Sequence, residues 1–231
     1  MKMLSKLGSF LLTLCLNQGL VIGTPIQPIE RSIGKLQISN MIEIEMVKAL
    51  EDYYNEIQGS YNVILSPSFQ GGYASWLPRA DGKDNLYACL STTNIQDNIP
   101  YLSWDNLIGY VWHEFGHSFV NPLTEKYIDR VMSVENLFMP IKEEMSRQAY
   151  PRWELCVNEH IIRATVIRLV ELHFNAQISK EMLDNELSEH FVYIEPLIEK
   201  LKEFERQRDE NQITFSEFYP ELLSVLDSLQ K

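Results

Sequence analysis

Two histidines and a glutamate stand in the pentapeptide His113-Glu114-Phe115-Gly116-His117, and their types and spacing are those of a metal-dependent hydrolase. On a helix each residue turns about 100°, so residues four apart share a face and lie roughly 6 Å apart along the axis. His113 and His117 can therefore reach one ion. Glu114 projects to one side, where a carboxylate can take a proton from an activated water without occupying a coordination position. Two imidazoles with room for an open position point to zinc.

The chemistry requires the segment to be helical. Ser103-Trp104-Asp105 supplies an N-cap residue and an acid in the first turn, and Asn121-Pro122 reads as the end. Between them Leu107, Ile108, Val111, Phe115 and Phe119 recur at helical spacing. Burying such a helix leaves two imidazoles and a carboxylate to be satisfied, and a metal satisfies the imidazoles directly.

A catalytic zinc takes three protein ligands, so a third must come from elsewhere. The metzincin layout is excluded, because Val120 and Leu123 stand where it needs glycine and histidine. A glutamate on a later helix remains, and Glu159 in Asn158-Glu159-His160-Ile161-Ile162-Arg163-Ala164 is the leading candidate. His160, Asp129, Glu143, Glu144 and Glu154 are the alternatives. His160 and Glu159 point about 100° apart, so only one of them can serve the same ion. Arg163, four residues after Glu159, can orient its carboxylate or bind a substrate carboxylate. Arg163, His190, Tyr193 and Tyr150 are candidates for stabilising an oxyanion or supporting a ligand.

The chain has 231 residues with 32 acids against 20 bases, a net charge of −12 that repels nucleic acid and anionic lipid. Residues 1–23 read as a cleaved leader: Lys2 and Lys6 precede Phe10, Leu11, Leu12, Leu14 and Leu16, and no charge follows until Glu30. This predicts a secreted, periplasmic or cell-envelope protein without integral membrane association once the leader is removed. Beyond the leader only Cys89 and Cys156 remain, too few for a disulfide scaffold.

Residues 24–231 read as one α+β domain, with a sheet and the motif helix over about 41–122 and a helical lobe over 123–231. A helix is expected from Met41 to Tyr54. Tyr61 to Leu65 and Asn85 to Leu90 read as strands, with turns at Gly71-Gly72 and Asp81-Gly82. An extended peptide could add beside the strand at Leu86 to Leu90. Helices are expected at Thr124 to Leu137, Ile141 to Gln148, Pro151 to Phe174 and Ser179 to Glu189. Another carries the stripe Ile194, Leu197, Ile198, Leu201 and Phe204. A last one is capped by Thr214 and Glu217, stapled by Ile213 and Phe218, and runs towards Ser228.

The runs from His113 to Leu123, Ala149 to Trp153 and Asn158 to Ala164 together resemble a bacterial family of gluzincin-like zinc metallopeptidases, over roughly Tyr61 to Leu169. That resemblance implies a zincin-like fold, a peptide or protein substrate, His113, His117 and Glu159 as zinc ligands, and Glu114 as general base. Arg163 is a departure: the best-studied gluzincins carry an acid there to support a histidine ligand, so the acceptor that orients the histidine is unassigned. Two other classes use the same residues, a non-catalytic module stabilised by zinc and a zinc hydrolase acting on a non-peptide amide. Glu114 argues against the first, since a purely structural site has no use for a base.

Overall fold

The computed structural model describes residues 46–230 apart from 67–69, 92–93, 97–98 and 102–103. The leader, the expected start of the first helix at Met41 and the Ser103 cap lie outside the described residues. The molecule is mixed α+β, mostly helical with a small sheet. The described residues divide into two compact units, one containing Met46–Lys48 and Gln58–Phe115, the other containing Ala49–Ile57 and Gly116 onwards.

The first unit holds strands β1 (Ser60–Ser66), β2 (Gly72–Pro78) and β3 (Asp84–Ser91), in the order β1-β3-β2. β3 pairs parallel with β1 and antiparallel with β2. The registers Tyr61↔Leu86↔Trp76, Val63↔Ala88↔Ala74 and Leu65↔Leu90↔Gly72 put these side chains on one face. Leu86, Ala88 and Leu90 are its buried centre. The expected strand at Asn85 to Leu90 is thus present, but it is hydrogen-bonded on both sides and cannot accept a peptide; the edges of this sheet are β1 and β2. The reading of Gly71-Gly72 as a turn also needs correction. Only Gly71 adopts a left-handed φ of 89°, and Gly72 already opens β2. Two short strands, β4 (Asn94–Gln96) and β5 (Ile99–Tyr101), pair antiparallel.

Helices α1 (Val47–Tyr54) and α2 (Trp104–Lys126) follow the apolar periodicity of their sequences. At the start of α2's described side chains, the Trp112 indole donates to the Met46 carbonyl at 2.9 Å, and Phe115 meets Tyr61 of β1 edge-on at 5.2 Å. The helix does not end at Pro122 but runs through it to Lys126. Proline removes one backbone bond there. What outweighs the loss lies just beyond: buried Thr124 hydrogen-bonds both Asn158 and Tyr219.

The second unit is helical: α3 (Ile128–Ser133), a 3-10 turn (Glu135–Phe138), α4 (Lys142–Arg147), α5 (Trp153–His173), α6 (Ala176–Ser188), α7 (Ile194–Asn211) and α8 (Phe215–Leu229). The single helix expected over Thr124 to Leu137 is therefore three pieces. α5 is the axis of this unit, packed against α3, α6 and α7 and buried almost all round. Its polar residues are matched accordingly: Arg168 donates to both oxygens of Glu205 on α7, at 2.8 and 2.7 Å, and Tyr53 of α1 donates to Glu205 at 3.1 Å. Tyr54 stacks on Phe119 at 4.2 Å. α8 starts with the expected capping box, Thr214 and Glu217 each accepting the other's backbone N–H. Among the described residues no helix is long and apolar enough to cross a membrane.

Candidate metal centre

Helical spacing sets His113 and His117 one turn apart on α2, both half-buried. Gly116 then lets α2 approach α5 closely, since a Cβ there would meet the Ile162 side chain at 3.2 Å. The result is that His117 Nε2 lies 3.4 Å from Glu159 Oε1. One ligand atom from each of His113, His117 and Glu159 falls within 4.8 Å of the others.

These donors suit a zinc ion. Two imidazole nitrogens and one carboxylate oxygen are the ligand set of an open catalytic site, and bonds of about 2.0–2.1 Å in tetrahedral geometry place donors about 3.3 Å apart. The His117–Glu159 separation is close to that value. Asn121, one turn after His117, accepts from its Nδ1 at 3.2 Å. That bond puts the ring proton on Nδ1 and turns the Nε2 lone pair towards Glu159. Asn121 can therefore orient the His117 ring; its position four residues after His117 marks it once the helix continues through Pro122.

Glu159 is buried and divides its oxygens: Oε1 faces His117, while Oε2 accepts from Arg163 Nε at 3.2 Å. Arg163 Nη1 donates to Glu186 at 2.7 Å and Nη2 to the Tyr150 hydroxyl at 3.3 Å. Burial opposes the Arg163 charge, but Glu159 and Glu186 outweigh it and hold its pKa above the ordinary value. Burial, then the Glu159 charge, pushes the Tyr150 hydroxyl up to about 12, so it remains a proton donor at neutral pH. Glu186 and the ring of Phe191, 4.1 Å from the Arg163 guanidinium carbon, were not singled out from the sequence. They lie far along the chain with no motif to mark them.

Glu114 is buried one residue after His113. Beside it runs the start of β2: a Cβ on Gly72 would overlap Glu114 Oε1 and stand 2.7 Å from its Cδ. A side chain at position 72 would fit only if the Glu114 carboxylate shifted.

His160 turns away from the cluster. Its Nδ1 donates to the Cys156 carbonyl at 2.7 Å, and its ring is enclosed by Phe191 and Tyr193, at 5.1 and 5.3 Å. Burial lowers its pKa to about 4, so it is neutral. Burial likewise raises the Cys156 thiol to about 12, with Glu159 adding to the effect. The other acids point elsewhere: Glu143 and Glu144 pair with Arg147, Glu154 pairs with Arg152, and Asp129 is exposed. Of the four candidate supporting residues, Arg163 and Tyr150 are brought to Glu159. Tyr193 instead donates to the Leu137 carbonyl at 2.6 Å, and His190 is exposed at the end of α6.

Neither a curated protein nor a solved structure matches this chain. Over residues 36–225, most of its length, the sequence matches the family described as a domain of unknown function (DUF4932), and the chain belongs to that family.

Proposed function

We propose that this protein is a zinc-dependent metallopeptidase of zincin-like fold, with His113, His117 and Glu159 as ligands and Glu114 as general base. The observation that carries the reading is the mutual approach of the three donor groups, with the buried carboxylate of Glu114 on the helix that carries both histidines. A zinc ion bound there supplies a Lewis acid that polarises a carbonyl and lowers the pKa of water to about 7. Glu114 accepts the proton of the attacking water at its carboxylate and passes it to the leaving amine. Asn121 and Arg163 keep His117 and Glu159 in orientation throughout.

The edge position of β2 supports a peptide substrate. An extended chain adding to β2 would take its backbone hydrogen bonds from that strand and run past Gly72, and so past Glu114. Backbone recognition of this kind tolerates many side chains.

Glu114→Gln tests the reading because it keeps the shape of the side chain and removes the base. Zinc content by elemental analysis should match wild type, while cleavage of a broad peptide library should fall by about a hundredfold or more. Equal cleavage by both proteins refutes the role of Glu114. A wild type that holds zinc and cuts nothing points instead to a zinc-stabilised binding module or to a non-peptide amide as substrate.

A further inference from the structure

Two helix ends converge on Arg163 in the same way. α4 and α6 each terminate in a non-glycine residue in the left-handed region, Ala149 at φ 71° and His190 at φ 69°. In both, the next residue's N–H bonds back five positions, Tyr150 to the Met145 carbonyl at 2.8 Å and Phe191 to the Glu186 carbonyl at 3.0 Å. The left-handed residues bond to Ser146 and Leu187 at 3.2 and 3.1 Å, completing a Schellman motif at each end. The residue after each left-handed turn is aromatic, and both aromatics meet Arg163: Tyr150 through its hydroxyl, Phe191 through its ring face. The second motif also presents Glu186, whose side chain takes Arg163 Nη1. The two turns are tied to each other by Gln148, which donates to the Glu189 carbonyl at 2.8 Å.

We propose that Arg163 is a positioning residue, caged by Glu186, Tyr150 and Phe191 so that it commits one oxygen of Glu159 to itself and presents the other to the metal. This rests on the metal-centre reading above. All three guanidinium nitrogens are engaged inside the protein, to Glu159, Glu186 and Tyr150. Three of the five guanidinium N–H groups are thereby committed within the protein, which favours a positioning role over capture of a substrate carboxylate. The planar fork matters as well as the charge, since a lysine ammonium could not span three acceptors with one orientation.

The test is metal binding rather than catalysis. Zinc affinity would be measured by competitive chelator titration of wild type, Arg163→Gln, Arg163→Lys, Glu186→Ala and Tyr150→Phe, with the visible spectrum of each cobalt-substituted protein alongside. Arg163→Gln should bind zinc about 10–100-fold more weakly and shift the cobalt bands. Lysine should fail to restore either property, and Glu186→Ala and Tyr150→Phe should show smaller losses in the same direction. Tyr150→Phe removes a single oxygen, so it reports on the cage even if the arginine variants do not fold. Wild-type affinity and spectrum in Tyr150→Phe and Glu186→Ala, or full rescue by lysine, would overturn the proposal while leaving the metal centre standing. A wild-type protein that takes up no zinc overturns both.

Discussion

Gly72 lies against Glu114 so closely that any side chain at position 72 would displace the carboxylate. A strand start and a helix residue from distant parts of the sequence thus share one small space, and the glycine belongs to the site as much as the glutamate does. Gly72→Ala should lower peptidase kcat/KM on the order of a hundredfold, the effect of moving a reacting group by about 1 Å. Zinc content should not change, because the proposed ligands are His113, His117 and Glu159 and not Glu114. Steady-state kinetics with elemental analysis would check both parts.

Asn121 holds the His117 ring through Nδ1. Asn121→Ala should weaken zinc binding by about 10–100-fold with little effect on the metal-free melting temperature, since the side chain is only half-buried. Chelator competition measures the first quantity and thermal unfolding of the metal-free protein the second.

Ala149 and His190 are exposed residues in a backbone conformation that costs an L-residue about 1–2 kcal/mol. Glycine removes this cost but adds freedom to the unfolded chain, so Ala149→Gly and His190→Gly should each stabilise by about 0.5–1 kcal/mol. Urea unfolding should show a raised midpoint at an unchanged slope.

Arg168 and Glu205 form a buried pair in the second unit. Glu205→Gln leaves the guanidinium with only the more exposed carboxylate of Glu171 as counter-charge and should destabilise by about 2–3 kcal/mol. Replacing all three buried partners, as Arg168→Met and Glu205→Leu with Tyr53→Phe to remove the hydroxyl that Glu205 accepts from, should recover most of that loss. Chemical denaturation of the two variants separates a charge effect from a packing effect.

The backbone N–H and hydroxyl of Thr214 lower the pKa of Glu217. A carboxylate whose folded pKa lies below its unfolded one contributes stability above the unfolded value, about 4.5, and that contribution disappears as pH falls through the lowered folded value. The stability difference between wild type and Glu217→Gln should therefore shrink as pH is lowered below about 4.5. Unfolding of both proteins across pH 3 to 7 measures it.

Local chemistry determined what could be read from the sequence of this protein. Helical spacing puts His113 and His117 on one face whatever surrounds them, the Thr214–Glu217 box caps a helix through bonds within four residues, and Glu159 and His160 must diverge because neighbours on a helix always do. Tertiary structure decided the rest. The strand at Asn85 to Leu90 has the same apolar character at a centre or an edge, and only pairing with β1 and β2 makes it central. Pro122 is a helix terminator in isolation, yet Thr124 gains buried partners from α5 and α8 that carry the helix past it. Glu186 and Phe191 reach Arg163 because α6 folds back on α5, a long-range event with no trace in the spacing of residues. The same holds for Gly72: its need for no side chain is set by Glu114, a contact that exists only once the sheet and the motif helix have met.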